Sequence, residues 1–186
     1  MKIVGGEAKN RGIKVPKGIR PTQGKVRAVI FDVLGDEVWD SKFIDLFAGS
    51  GAVGIEALSR GAKEAIFVEH SQRVVKVIRD NLELLGYSDK AKIIVKNAIT
   101  IAKELLNPST PQSRNSIAIT FADPPYNEGY IKKLTDLLLV SQPIKFPDLF
   151  IIEHSKHEPM TIGEHYKAGD SIITFIWKER RAKWKN

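Results

Sequence analysis

Three places in this sequence hold residue types at spacings that can do chemistry. The first is FADPPYN, where Asp123, Pro124, Pro125 and Tyr126 follow an apolar run. Two prolines remove two backbone N–H donors and stiffen the chain, and each residue before a proline is pushed toward an extended conformation. What remains is a rigid cluster of acceptors, the Asp123 carboxylate and the Pro124 carbonyl, with an aromatic ring beside it. The exocyclic amine of a nucleic-acid base is nearly planar because its lone pair is delocalised into the ring. Two acceptors gripping its two hydrogens favour the pyramidal form and free the lone pair to attack an activated methyl carbon. Tyr126 can stack on a base that has left its helix, a contact worth ~1–3 kcal/mol. A plain Pro-Pro surface turn is the bland alternative, and it does not explain prolines placed directly at the end of a buried strand.

The second place is FIDLFAGSGAVGIEAL, in which Gly49, Gly51 and Gly54 form GxGxxG between a strand and a helix. Glycine allows a tight turn and close approach of a ligand to the backbone. The loop Phe47, Ala48, Gly49, Ser50, Gly51 is therefore a candidate ligand cradle. The third is Glu69, twenty residues after Gly49 at the end of the next strand and followed by His70, where a carboxylate can accept from ribose hydroxyls. Together they indicate an adenosine-bearing ligand, either a dinucleotide or S-adenosylmethionine. Asp45 tilts that choice, because a carboxylate just ahead of the loop repels a pyrophosphate and attracts the ammonium of a methionine moiety.

These residues need elements to position them. From Thr22, a possible N-cap, Val26, Val29, Ile30, Val33 and Leu34 trace one helical face ending at Gly35. Strands are expected over 42–47, 65–69, 92–95, 117–122, 149–153 and 171–177, with helices between them ending near Leu58, Leu85, Leu106 and Val140. The polar segment 107–115 reads as a surface loop, and the stretch before Ser171 is ambiguous. Strands alternating with helices imply an α/β fold with a central, mostly parallel sheet and helices on both faces. Ligands in such sheets bind at the carboxyl ends of the strands, where all three motifs fall.

Composition bounds the rest. A length of 186 residues suits one compact domain with room for a small appendage, and the absence of cysteine excludes disulfides, thiolate zinc sites and cysteine nucleophiles. With no apolar stretch of membrane-spanning length and a basic, polar start, a soluble, cytoplasmic protein is expected. Residues 1–30 carry a net +7 and the last eleven +4, leaving −4 for the middle, out of +7 in all. Basic ends around a near-neutral to acidic core suit contact with a polyanion, the alternative being solubilising tails. Arg11, Arg20, Lys25 and Arg27 are the candidates for phosphate contact. If the two ends neutralise ~4 phosphates, log K should fall with log salt at a slope near −3.

With these motifs in place, the sequence resembles the class I S-adenosylmethionine-dependent amino-methyltransferases that carry [DNS]PP[YFW]. It is most similar to the bacterial branch that modifies the exocyclic amine of guanine, at N2, in small-subunit (16S) ribosomal RNA. The segments that carry the resemblance are IVGGEAKNRGIKVP, IRPTQGKVRAVIFDVLG, FIDLFAGSGAVGIEALSRGAKEAIFVEHS and FADPPY, running from residue 3 to 126, with FIIEHS a looser match. The resemblance implies a Rossmann-like methyltransferase domain over 22–186 and a basic N-terminal hairpin over 1–21 that touches RNA. It assigns Asp45 and the glycine loop to the methionine end of the donor, Glu69 to its ribose, and DPPY to the target amine. The residue opening the helix after the third strand is usually an aspartate that accepts from the adenine amine. Here that residue is Asn97, followed by Ala98, and an amide oxygen can also accept. The implied partner is ribosomal RNA or the small ribosomal subunit.

His154 and His157, three apart with no third ligand near, give no reason to expect a metal. The tryptophans Trp39, Trp177 and Trp184 read as packing residues. Three rival readings stay open on the residues alone. One is amine methylation of adenine or cytosine, in RNA or DNA. Another is a nicotinamide-dependent oxidoreductase, which leaves DPPY and the basic ends unexplained. The last is a non-enzymatic RNA-binding factor that retains the donor pocket.

Overall fold

The computed structural model describes residues 1–19, 22–107, 116–141 and 147–178. Arg20, the loop residues 108–115 and the basic tail with Trp184 lie outside the described residues. Among the described residues seven strands form one sheet: β1 (Lys42–Asp45), β2 (Glu64–Val68), β3 (Ala91–Ile94), β4 (Ala118–Ala122), β5 (Leu149–Ser155), β6 (Glu164–Ala168) and β7 (Ser171–Trp177). Their spatial order is β3-β2-β1-β4-β5-β7-β6. The first five run parallel, and β7 is antiparallel to both β5 and β6. Strand order reverses between β1 and β4, and this is where a doubly wound sheet opens a crevice at its carboxyl edge.

Five α-helices among the described residues cover the faces: α1 (Gly24–Leu34), α2 (Ala52–Ser59), α3 (Gln72–Leu85), α4 (Ala98–Leu106) and α5 (Tyr130–Val140). Because side chains alternate along a strand, Phe43, Phe67 and Phe121 point to one side and pack with Ile30, Leu34, Ile55, Ile78 and Leu82 of α1 to α3. Ile44, Val68, Phe150 and Ile152 point to the other side, against Ile101, Ala102, Ile131, Leu134 and Leu138 of α4 and α5. Burial on both faces explains why β4 is buried at every position and reads in sequence as a continuous apolar run.

In the N-terminal segment Lys2 and Gly12 form an antiparallel bridge, flanked by Ile13 N–H on the Met1 carbonyl at 2.8 Å and Ile3 N–H on the Arg11 carbonyl at 3.0 Å, and Ile3, Ala8 and Ile13 are buried in the same cluster as α1 to α3. Two expectations are corrected here. The N-cap of α1 is Gln23, not Thr22. Trp39 is 73% exposed, although its ring sits over Gly61, where an added Cβ would lie 2.3 Å from it. The ambiguous stretch contains β6, an edge strand whose first four residues are exposed, so its sequence EHYKA shows no inside-outside alternation.

Candidate active site

The carboxyl ends of the strands converge on a cleft of about 570 Å³. The turn after β1 supplies Phe47, Ala48, Gly49 and Ser50 to its wall, the residues just past β2 supply Glu69 and His70, the start of α4 supplies Asn97 and Ala98, and the turn just past β4 supplies Asp123, Pro124, Pro125 and Tyr126. Twelve of the proposed site residues thus share one cavity. Gly51 and Asp45 lie behind its wall.

Each part of the glycine turn has its own physical reason. Gly49 and Gly51 adopt φ of 51° and 77°, the left-handed region that residues with a Cβ avoid. Gly54 serves packing, since a Cβ there would approach Phe67 to 2.4 Å and force α2 away from β2. Beneath the turn, Asp45 is 1% exposed and accepts from the Gly54 N–H at 3.2 Å through Oδ2, while its Oδ1 is buried with no hydrogen-bond partner among the described residues. Burial pushes its carboxyl up to about 7, with the Gly54 bond opposing and the nearby Glu69 charge adding to the rise.

Glu69 is held by two backbone donors: Gly49 N–H at 3.2 Å to Oε2 and Ser71 N–H at 2.8 Å to Oε1. A carboxylate has about four lone-pair sites, so acceptor capacity remains on the cleft side for two hydroxyls. His70 is exposed at the rim, its Nδ1 3.2 Å from Glu69 Oε1. Asn97 caps α4, its Oδ1 accepting from Ile99 N–H at 2.9 Å. The acceptor expected to meet an adenine amine is therefore already partly committed to the helix.

Asp123 stands at the end of β4, where Thr22 Oγ1 donates to its Oδ2 at 2.8 Å. Desolvation in the cleft holds its carboxyl well above the usual range. Glu153 adds to the rise and the Thr22 bond opposes it. Tyr126 is anchored through its hydroxyl, 3.2 Å from Glu153 Oε1 and 3.1 Å from Ser171 Oγ, which leaves its ring half-exposed at the cleft. Burial pushes the Tyr126 hydroxyl up to about 12, so it stays protonated.

Among the expected phosphate contacts, Lys25 is exposed, and Arg11 is exposed with its guanidinium on the Leu84 carbonyl at 2.7 Å. Arg27 is corrected. It is 1% exposed, with Nε 2.9 Å from Glu56 Oε2 and its other nitrogens on the carbonyls of Thr22 (3.0 Å) and Lys2 (2.8 Å). Its charge ties the N-terminal segment and α1 to α2 and does not face solvent. Sequence reasoning also missed Thr22, Arg73, Lys96, Tyr130 and Glu153, all of which line the cleft. A signal existed for Glu153, a lone acid interrupting the apolar run LFII.

The cavity suits S-adenosylmethionine better than a dinucleotide. A pyrophosphate at the glycine turn would be repelled by Glu69 in the wall and by any charge on Asp45 beneath it, whereas an ammonium would be attracted by the same groups. No helix among the described residues is long and apolar enough to cross a membrane.

The family described as Conserved hypothetical protein 95 matches residues 1–174 of this chain. The chain belongs to that family. Its relatives include the protein named ribosomal RNA small subunit methyltransferase D in Haemophilus influenzae, 31% identical over 84% of this chain and 80% of that protein. The Escherichia coli K12 protein of the same name is 35% identical over 74% of this chain and 66% of that one. A solved structure of a hypothetical protein of Thermus thermophilus superposes with a TM-score of 0.78 at 29% identity, covering 95% of this chain and 99% of that one. The fold of this chain is the Rossmann-like class I methyltransferase architecture, with the glycine turn and DPPY at the β1–β4 switch point and Glu69 at the end of the neighbouring β2.

Proposed function

We propose that this protein transfers a methyl group from S-adenosylmethionine to the N2 amine of a guanine in small-subunit (16S) ribosomal RNA. The observation that carries the reading is the DPPY turn lying in the same cleft as Glu69 and the glycine turn. A donor-poor corner suited to an amine then adjoins a pocket suited to a ribose and an ammonium. The relatives named ribosomal RNA small subunit methyltransferase D support the ribosomal substrate.

When bound, S-adenosylmethionine supplies an electrophilic methyl group on a sulfonium sulfur. Asp45 and the glycine turn hold its methionine end, Glu69 its ribose and Asn97 with Ala98 its adenine. Asp123 and the Pro124 carbonyl accept the two amine hydrogens, and the half-exposed Tyr126 ring stacks on the base. As the N–C bond forms and the C–S bond breaks, the amine must lose one proton. A carboxyl that titrates above the ordinary range is a better acceptor for that proton than a solvated aspartate near 3.9. Arg11, Lys25 and Arg20 are the basic residues proposed to meet the RNA backbone.

The test is to map methylated nucleotides in ribosomal RNA from cells with and without the protein, and to repeat the transfer in vitro. The expected result is loss of one N2-methylguanine from the small-subunit RNA. Loss of a methyl from an adenine, a cytosine or DNA would overturn the guanine reading. As a check on roles, Asp123→Ala should keep RNA binding while transfer falls by orders of magnitude.

A further inference from the structure

Next to Asp123 the cleft contains a second carboxyl group, which the reaction as described does not use. Glu153 is 4% exposed and lines the cavity from β5. Its Oε1 accepts from Ser171 Oγ at 2.7 Å and from the Tyr126 hydroxyl at 3.2 Å, so the side chain is held in one orientation. Its Oε2 is buried and receives no N–H or hydroxyl donor among the described residues, so the Asp123 carboxyl is the neighbour with which Glu153 can share a proton. The β4–β5 register pairs Ala122 with Ile152, so one residue further on Asp123 and Glu153 are neighbours on the same face, and their carboxyl groups interact directly.

A buried acceptor with no donor is costly, and a buried carboxylate beside another more so. The pair is relieved by an occupant that presents two adjacent N–H groups. Among bases that carry an exocyclic amine, guanine has that edge, with N1–H next to the N2 amine. Adenine and cytosine set a bare ring nitrogen beside theirs, whose lone pair would face a carboxylate. A site built from fixed acceptors rejects such an edge because its own polar groups are left unpaired.

We infer that Glu153 Oε2 accepts the N1–H of the target guanine while Asp123 and the Pro124 carbonyl hold its N2 amine, so that Glu153 selects guanine among the amine-bearing bases. The inference rests on the guanine reading given above. Tyr126 and Ser171 then have a second role, since they fix the oxygen of Glu153 that the base does not use.

The test uses small ribosomal subunits reconstituted with either guanine or 2-aminopurine at the methylated position. 2-Aminopurine keeps the N2 amine and lacks N1–H. For the unaltered protein, kcat/KM on guanine should exceed that on 2-aminopurine at least about tenfold. In Glu153→Gln the amide oxygen can keep the Ser171 and Tyr126 bonds while its NH₂ group donates to the bare N1. The ratio should then narrow to within about threefold, with calorimetric binding of S-adenosylmethionine reporting an intact fold. An unchanged ratio in the variant overturns the inference, including an equal loss on both bases, which a purely structural or proton-accepting role would give. Should the variant not fold, equal use of the two bases by the unaltered protein overturns it with no substitution. Transfer by the unaltered protein to adenine or cytosine in place of guanine defeats the guanine reading first, and the inference falls with it.

Discussion

Thr22 Oγ1 donates to Asp123 Oδ2 at 2.8 Å, joining residues 101 positions apart in sequence. The carbonyl of the same threonine accepts from the buried Arg27 guanidinium at 3.0 Å. Arg27 in turn is locked to Glu56 on α2, the helix that follows the glycine turn. The carboxyl proposed to grip the amine is thus oriented by a chain of contacts that begins at Glu56 in α2.

Removing that hydroxyl should damage turnover more than donor binding. In Thr22→Val the loss of a hydrogen bond to a charged group is expected to lower kcat by about tenfold to a hundredfold, with calorimetric affinity for S-adenosylmethionine unchanged. The Thr22 bond opposes the rise of the Asp123 titration, so without it the acid limb of the pH–rate profile should move to higher pH. Thr22→Ser should restore both.

Arg27 and Lys25 should behave in opposite ways. Arg27→Ala takes from the buried Glu56 one of its two arginine partners, leaving Arg60 at 3.2 Å, and strips the Thr22 and Lys2 carbonyls of their donor, a change of about 3 kcal/mol, which for a chain of this size lowers Tm by on the order of 10 °C. Below that melting point its RNA affinity and salt dependence should match the unaltered protein. Lys25→Ala should leave Tm nearly unchanged and make the slope of log K against log salt shallower by about one.

Asp45 predicts a pH dependence with a definite sign. Its carboxyl titrates at about 7 in the folded chain against a reference of 3.8. Between those values the folded, ligand-free chain keeps a proton that the unfolded chain has lost. The stability tied to this group is therefore complete below the lower value and declines as pH rises through the upper one. Asp45→Asn should flatten that slope in thermal melts. An ammonium beside Asp45 favours the ionised form, so donor affinity should rise between pH about 6 and 8 with proton release in calorimetry. Both effects should vanish in Asp45→Asn, along with most of the affinity.

At Asn97 the expected change is a gain. Aspartate caps a helix as well as asparagine does, so Asn97→Asp keeps α4 in place and adds a charged acceptor for the adenine amine. Calorimetry should show severalfold tighter binding of S-adenosylmethionine. Asn97→Ala should lose about 1 kcal/mol of stability with no such gain.

The glycine turn, Glu69 and DPPY were readable in the sequence because each is a short local pattern at the end of a strand, and a parallel sheet with helical crossovers brings all such ends to one edge. The hydrophobic period that reveals α1 is equally local. By contrast β6, exposed along an edge, leaves no period to read. Arg27 counted as a basic residue in a basic segment, and only the tertiary packing put Glu56 opposite it and took both from water. Thr22 and Glu153 meet the site through partners supplied by distant elements. Which side chains face each other across β4, β5 and β7 depends on strand order and register, and no nearest-neighbour pattern encodes these. Local residue patterns dictate the kinds of chemistry available and the edge on which they gather. Packing in three dimensions selects which carboxyl is held, which is left wanting a donor, and which arginine never reaches the surface.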